Sequence, residues 1–252
     1  MKLSKKIKKS IISIFIVFIG GTCAYNKDNI EDFIINLIPQ KYIRSYSIEE
    51  VPEYTNKPYV YINNNEPVFT SEELSKEKLE EYSDFDILGR CGVATAIVSL
   101  DTMPTEERGS IGQVKPTGWH TVKYDFVDGK YLYNRCHLIG YQLTGENANE
   151  KNLITCTRYM NTVGMLEFEN KIAEYVKKTS NRVYYRVTPI FKDKNLLASG
   201  VQMEALSIED NGKGIKFNVF VYNVQEGIHI DYATGESYLE ESWAKEIKFL
   251  VW

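Results

Sequence analysis

Between Tyr133 and Asn161 the chain reads YNRCHLIGYQLTGENANEKNLITCTRYMN, with one histidine (His137), two arginines, several asparagines and few carboxylates. Hydrolysis of a phosphodiester needs a base to deprotonate water, a cation to offset charge on the phosphoryl oxygens and the leaving group, and little else. Histidine suits the first task, because its unperturbed pKa of about 6.5 leaves the ring mostly neutral near neutrality. A single Mg2+ suits the second, since it takes oxygen ligands, dehydrates reluctantly and is often held by one or two protein groups plus water and phosphate. One asparagine carbonyl, that of Asn161, would then suffice as direct ligand and would leave the ion's charge undiminished. Glu169 follows eight residues later; along an α-helix that spacing is about 80° of rotation and roughly 12 Å of axis. The two side chains share a side of the helix but not a first coordination shell, so Glu169 would act through water on the metal.

Taken singly, these residues have plainer readings. A histidine at a strand end is more often a hydrogen-bonded structural group, Asn161 alone reads as a helix N-cap, and Glu169 alone as a solvated helix face. Together, however, YNRCHLIGYQL, NEKNLITCTRYMN and FENKI resemble the DNA/RNA non-specific endonucleases of the ββα-metal fold, especially the secreted nucleases of Gram-positive bacteria. The resemblance runs from about Leu88 through VKPTGW and RVYYRVTPIF to NVQEGIHIDYATGE, with the motifs in order.

The resemblance implies that His137 is the general base, Asn161 the sole protein ligand to Mg2+, with Mn2+ as a substitute, and Glu169 the carboxylate that orders the metal's waters. Asn152 matches a second active-site asparagine. Arg135 matches the arginine of a signature that begins Asp-Arg-Gly-His and here reads Asn134-Arg135-Cys136-His137, without the acid and the glycine. Arg158 and Arg186 are further candidates for phosphate contacts, because a planar guanidinium pairs with phosphate in bidentate fashion. His120 and His229 read as structural. The implied activity is Mg2+-dependent, sequence-non-specific endonucleolytic cleavage of DNA, extending to RNA, leaving 5′-phosphate ends. Sequence preference should be weak, because contacts to phosphate carry no base information. The rival is a catalytically weak nucleic-acid-binding component of a DNA-uptake system. A metal-dependent cell-wall or peptide hydrolase would need clustered zinc ligands, and neither CxxC nor HxxxH spacing occurs. No protein partner is implied.

The elements that must position these residues follow from local pattern. Thr70 and Glu73 have the spacing of a capping box for a helix over SEELSKEKLEEY. GRCGVATAIVSL reads as a buried strand, TVKYDFVDGKYLYNRCHLI as two strands about Asp128-Gly129, and NLITCT as a short strand. Helical spacing begins at Asn161, with Leu166, Ile172 and Val176 as apolar anchors. RVYYRVTPIF, SGVQMEALSIE and KFNVFVYNV alternate with period two, which predicts a largely antiparallel sheet and an α+β fold.

The 252 residues divide into three expected parts: 1–24 as signal peptide or membrane anchor, 25–82 as an N-terminal extension with a short amphipathic run EDFIINLI, and 83–252 as the nuclease domain. The first ten residues carry five lysines ahead of an apolar run of a length suited to an export signal. Removal after Ala24 fits best, then an uncleaved anchor, then lipidation of Cys23; membrane contact is expected only if the segment stays. The expected location is therefore outside the cell or on the outer face of its membrane. The formal charge is −4, and loss of those five lysines takes it to −9, so a polyanionic substrate needs a locally basic groove. Of the four cysteines, Cys91, Cys136 and Cys156 would remain in the body. They read first as small core residues; if two pair, Cys91 and Cys136 lie near predicted strands.

Overall fold

The computed structural model describes residues 51–241 and Trp243. The export segment and the EDFIINLI run lie outside the described residues. Among the described residues no helix is long and apolar enough to cross a membrane.

A six-stranded antiparallel sheet forms the frame. Its strands are β1 (Tyr59–Tyr61), β2 (Glu80–Tyr82), β3 (Ala94–Val98), β6 (Val183–Ile190), β7 (Gly200–Ser207) and β8 (Lys216–Tyr222), in the spatial order β1-β8-β7-β6-β3-β2. The three long strands are those with period-two alternation. Residues 51–82 thus supply both edge strands. The helix predicted over SEELSKEKLEEY is shorter than its pattern suggested. Thr70 and Glu73 do form a reciprocal capping box, but α1 spans only Ser71–Leu74, and Glu80–Tyr82 pairs with Ala94–Ala96 instead. Edge pairing outweighs the helical propensity of the glutamates and lysines there.

β4 (Tyr133–His137) and β5 (Leu153–Thr157) make a separate two-stranded ribbon, and β9 (Ile228–Ile230) and β10 (Ser237–Leu239) another. The strand expected before Asp128-Gly129 is reduced to one bridge between Lys123 and Tyr131. The connection from β4 to β5 contains α2 (Tyr141–Thr144), closed by Gly145 in the left-handed region at φ 69°.

After β5 the chain turns into helix at Arg158, three residues earlier than predicted. Thr157 caps it, accepting from Met160 N at 3.0 Å. Met160–Met165 then form a π turn, with Leu166 N donating to Asn161 O, before α3 (Leu166–Thr179) continues. That turn shifts the apolar face: Leu166 is 38% exposed, and Phe168, Ile172, Ala173 and Val176 pack inward. They meet Ala94, Ala96, Val98, Val183, Tyr185 and Val187 from the sheet. Each fully buried large side chain contributes about 1.5–3 kcal/mol, so α3 is fastened mainly by this contact.

Alternation sends Tyr184, Arg186 and Thr188 to the sheet's other face, which residues 62–73 cover. The cysteine pairing differs from the one expected: Cys136 and Cys156, diagonal neighbours on β4 and β5, form a disulfide with Cα atoms 5.9 Å apart. Cys91 is a buried free thiol, donating to Leu153 O at 3.2 Å.

Candidate active site

His137 is the last residue of β4, opposite Leu153, and is 7% exposed. Its Nε2 lies 2.7 Å from the backbone oxygen of Asn147. A carbonyl only accepts, so Nε2 carries the proton and donates, and in the neutral ring Nδ1 keeps its lone pair. That lone pair faces Arg108, whose Nη2 is 3.3 Å away. Burial lowers the His137 pKa to about 4; the Asn147 carbonyl opposes that shift and the Arg108 charge adds to it. The ring is therefore neutral and able to accept a proton across the physiological range.

Glu169 sits in the first turn of α3, on the face that also buries Ile172, Ala173 and Val176. Its carboxylate packs on Gly140, where a Cβ would come within 2.6 Å of it, so any larger residue there would displace the carboxylate. Burial raises the Glu169 pKa to about 7, against the lowering effects of Arg108, Gln142 and the Gly140 backbone. Arg108 thus acts on both His137 and Glu169, which places the imidazole and the carboxylate about a single cation. Asn161 lies inside the π turn, half-buried, with no protein hydrogen bond to its carboxamide among the described residues. A π turn takes up one residue more than an α turn. Eight residues from Asn161 to Glu169 then advance like about seven, leaving the two side chains about 20° apart instead of about 80°. The turn aligns them on one face of the helix.

Could these groups hold a metal? Among the described residues no cluster of three or more His, Cys, Asp or Glu exists. A tetrahedral zinc site of nitrogen and sulfur ligands is therefore not built here. One unengaged carboxamide and one buried carboxylate with a raised pKa are an oxygen set that suits a largely hydrated Mg2+. Asn147 Oδ1 is buried without a hydrogen-bond partner among the described residues.

The other predicted residues stand elsewhere. Asn152 is fully buried and spends its carboxamide on the backbone of Ile139, accepting from N at 2.8 Å and donating to O at 3.0 Å. It fixes the segment joining His137 to Gly140. Arg135 stacks on Trp119 at 3.9 Å and donates to Gly112 O at 2.8 Å and to Val114 O, which anchors the end of the loop that carries Arg108. Arg158 pairs with Asp128 at 2.9 Å on the surface. Arg186, expected as a phosphate contact, is not part of the cluster. It points to the opposite face of the sheet, where Glu204, Glu73 and Val68 O take its donors.

Arg108 was not among the residues singled out from sequence. It is exposed, in a loop without periodicity, 29 residues before His137. Only the glycines that follow it in ERGSIG hint at a shaped loop. Tyr141, whose hydroxyl donates to Glu106 O at 2.8 Å, and Asn147, against which Gly109 packs, hold that loop over the ribbon.

Residues 70–208 match the family described as DNA/RNA non-specific endonuclease. Among solved structures, NucA from Streptococcus agalactiae with a magnesium ion bound is 26% identical, with a TM-score of 0.66 over 77% of this chain and 92% of NucA. Sda1 nuclease with a bound zinc ion is 24% identical, with a TM-score of 0.59 over 77% of this chain and all of the other, a likeness of fold. The ribbon β4-β5 followed by the helix carrying Asn161 and Glu169 is the ββα unit of that fold. The family match spans more than half of the chain and contains Arg108, His137, Asn161 and Glu169, so this protein is an endonuclease and belongs to the DNA/RNA non-specific endonuclease family.

Proposed function

We propose that the protein is an extracellular, Mg2+-dependent endonuclease that hydrolyses DNA, and RNA by the same chemistry, without sequence preference. The observation that carries the proposal is the state of His137: Nε2–H is committed to the Asn147 carbonyl, which leaves Nδ1 as a basic lone pair facing Arg108, whose charge also acts on Glu169. His137 Nδ1 takes the proton of the attacking water, and the Asn147 carbonyl steadies the imidazolium that results. Asn161 and Glu169 are the residues that would hold the divalent ion and its waters; when bound, the ion offsets negative charge on the phosphate and the leaving oxygen. Mn2+ should substitute for Mg2+, since the donor set is all oxygen.

Arg108 has two roles in this reading. Without substrate its guanidinium covers Nδ1. A phosphate offers it stronger, charge-assisted and bidentate hydrogen bonds than a neutral imidazole does, so substrate draws it off the base and exposes the lone pair. Nucleic acid is the partner, bound through phosphates.

The test is His137→Ala in the full chain, assayed for nicking of supercoiled plasmid and for plasmid binding. Cleavage should fall by about 10²–10⁴-fold with binding largely retained. Substantial residual turnover would remove His137 as the base.

A further inference from the structure

Tyr185 lies in the middle of β6, with Ala96 of β3 and Ala205 of β7 as its partners in register. The two alanines make room for its ring on the face that α3 covers, where it packs with Phe217 at 6.4 Å between ring centres. It is fully buried, and its hydroxyl has no hydrogen-bond partner among the described residues. Leaving a hydroxyl so costs roughly 1–3 kcal/mol, and phenylalanine would fill the same space without that cost. A use for the hydroxyl is therefore needed. Glu169 is buried on the face of α3 whose Phe168, Ile172 and Val176 pack with Tyr185, and its charge acts on the hydroxyl. On its other sides Glu169 meets Gly140, Gln142 and Arg108, and Gln142 Nε2 also donates to Asn170 at 3.0 Å. A carboxylate offers about four acceptor sites, so the sheet side of Glu169 has capacity for another donor.

We propose that Tyr185 is a positioning residue that acts through Glu169: its O–H supports the carboxylate from the sheet through one bridging water and fixes the orientation in which Glu169 serves the metal's waters. A bridge of that kind satisfies the hydroxyl and the carboxylate together. The inference rests on the role given to Glu169 above. Residues that orient a metal-site group from behind change metal affinity or activity by about 10–100-fold when lost.

The experiment compares the full chain with Tyr185→Phe, with Glu169→Gln and with both. Plasmid cleavage is followed under Mg2+ titration, Mn2+ binding is measured by calorimetry, and melting temperature is recorded. Tyr185→Phe should lower kcat and Mn2+ affinity by about tenfold each, leave KM for plasmid unchanged, and leave the melting temperature equal or higher. It should add nothing in the Glu169→Gln background. Unchanged kcat and Mn2+ affinity, or losses that multiply with those of Glu169→Gln, would overturn the proposal. If the unsubstituted protein proves inactive with every divalent ion, the nuclease mechanism fails, and coupling in the Mn2+ affinities alone then decides the role of Tyr185.

Discussion

Glu169 and Glu204 are both buried carboxylates, at 9% and 1% exposure, yet their surroundings differ in kind. Glu204 has its charge answered: Arg186 gives it two donors at 2.9 and 2.8 Å and Val68 N a third at 2.9 Å. Arg186 in turn reaches Glu73, Val68 O and the face of Phe69, so the cluster is closed. Glu169 has a glycine backbone, an amide and one exposed loop arginine, and its pKa rises to about 7. A buried acid left short of positive charge is costly, and it is kept where a cation arrives with function. The contrast separates a charge cluster that holds the fold from the one proposed to take a metal ion, with the sheet between them.

The comparison breaks most visibly at Arg186. Arg186→Met leaves Glu204 buried and unpaired, which should cost about 3–5 kcal/mol of stability in urea unfolding, while kcat of the folded protein stays within about twofold. A large loss of kcat at unchanged stability would reverse the assignment of the two clusters. On the other face the pattern inverts. Asn161→Ala should leave stability unchanged and depress cleavage, with raised Mg2+ restoring only part of it; an unchanged Mg2+ titration curve would refute the ligand assignment. Glu169→Gln should lower kcat by about 10–100-fold and leave the metal-free protein as stable or more so above pH 7.

The smallest expected effect is in the pH dependence of stability without metal. The folded pKa of His137 is about 4, below its unfolded value of 6.5, so its contribution is complete above pH 6.5 and is lost as pH falls through 4. Glu169, raised from 4.5 to about 7, contributes below pH 4.5 and loses that contribution as pH rises through 7. Between pH 4.5 and 6.5 the two slopes oppose each other. Glu169→Gln removes one of them, so the difference in unfolding free energy between variant and parent should rise with pH by up to about 1.4 kcal/mol per unit. A flat difference would show that Glu169 is not raised.

Much of this was legible in residue order. The alternation of β6, β7 and β8 gave the sheet, and the Thr70/Glu73 pair gave a real cap. His137, Glu169 and the helix after β5 stood in one motif. The face on which Arg186 lies was not legible, because alternation tells only that Tyr185 and Arg186 face opposite ways, not which face the helix covers. The π turn left no trace in composition, so helical phase carried Leu166 to the wrong side and placed Asn161 too far round from Glu169. Arg108 sits in an aperiodic loop whose position is set by tertiary contacts with Tyr141, Asn147 and Arg135. Short range decided the Cys136–Cys156 pair, since a diagonal on a ribbon depends on register that pattern alone does not specify.

The most direct measurement is conversion of supercoiled plasmid by the purified protein, stripped with EDTA and then resupplied with Mg2+ or Mn2+. Nicked and linear products should be absent after stripping and return with either ion. Undiminished cleavage in EDTA, or binding of plasmid with no cleavage under any divalent ion, would contradict a hydrolytic centre built on His137, Asn161 and Glu169.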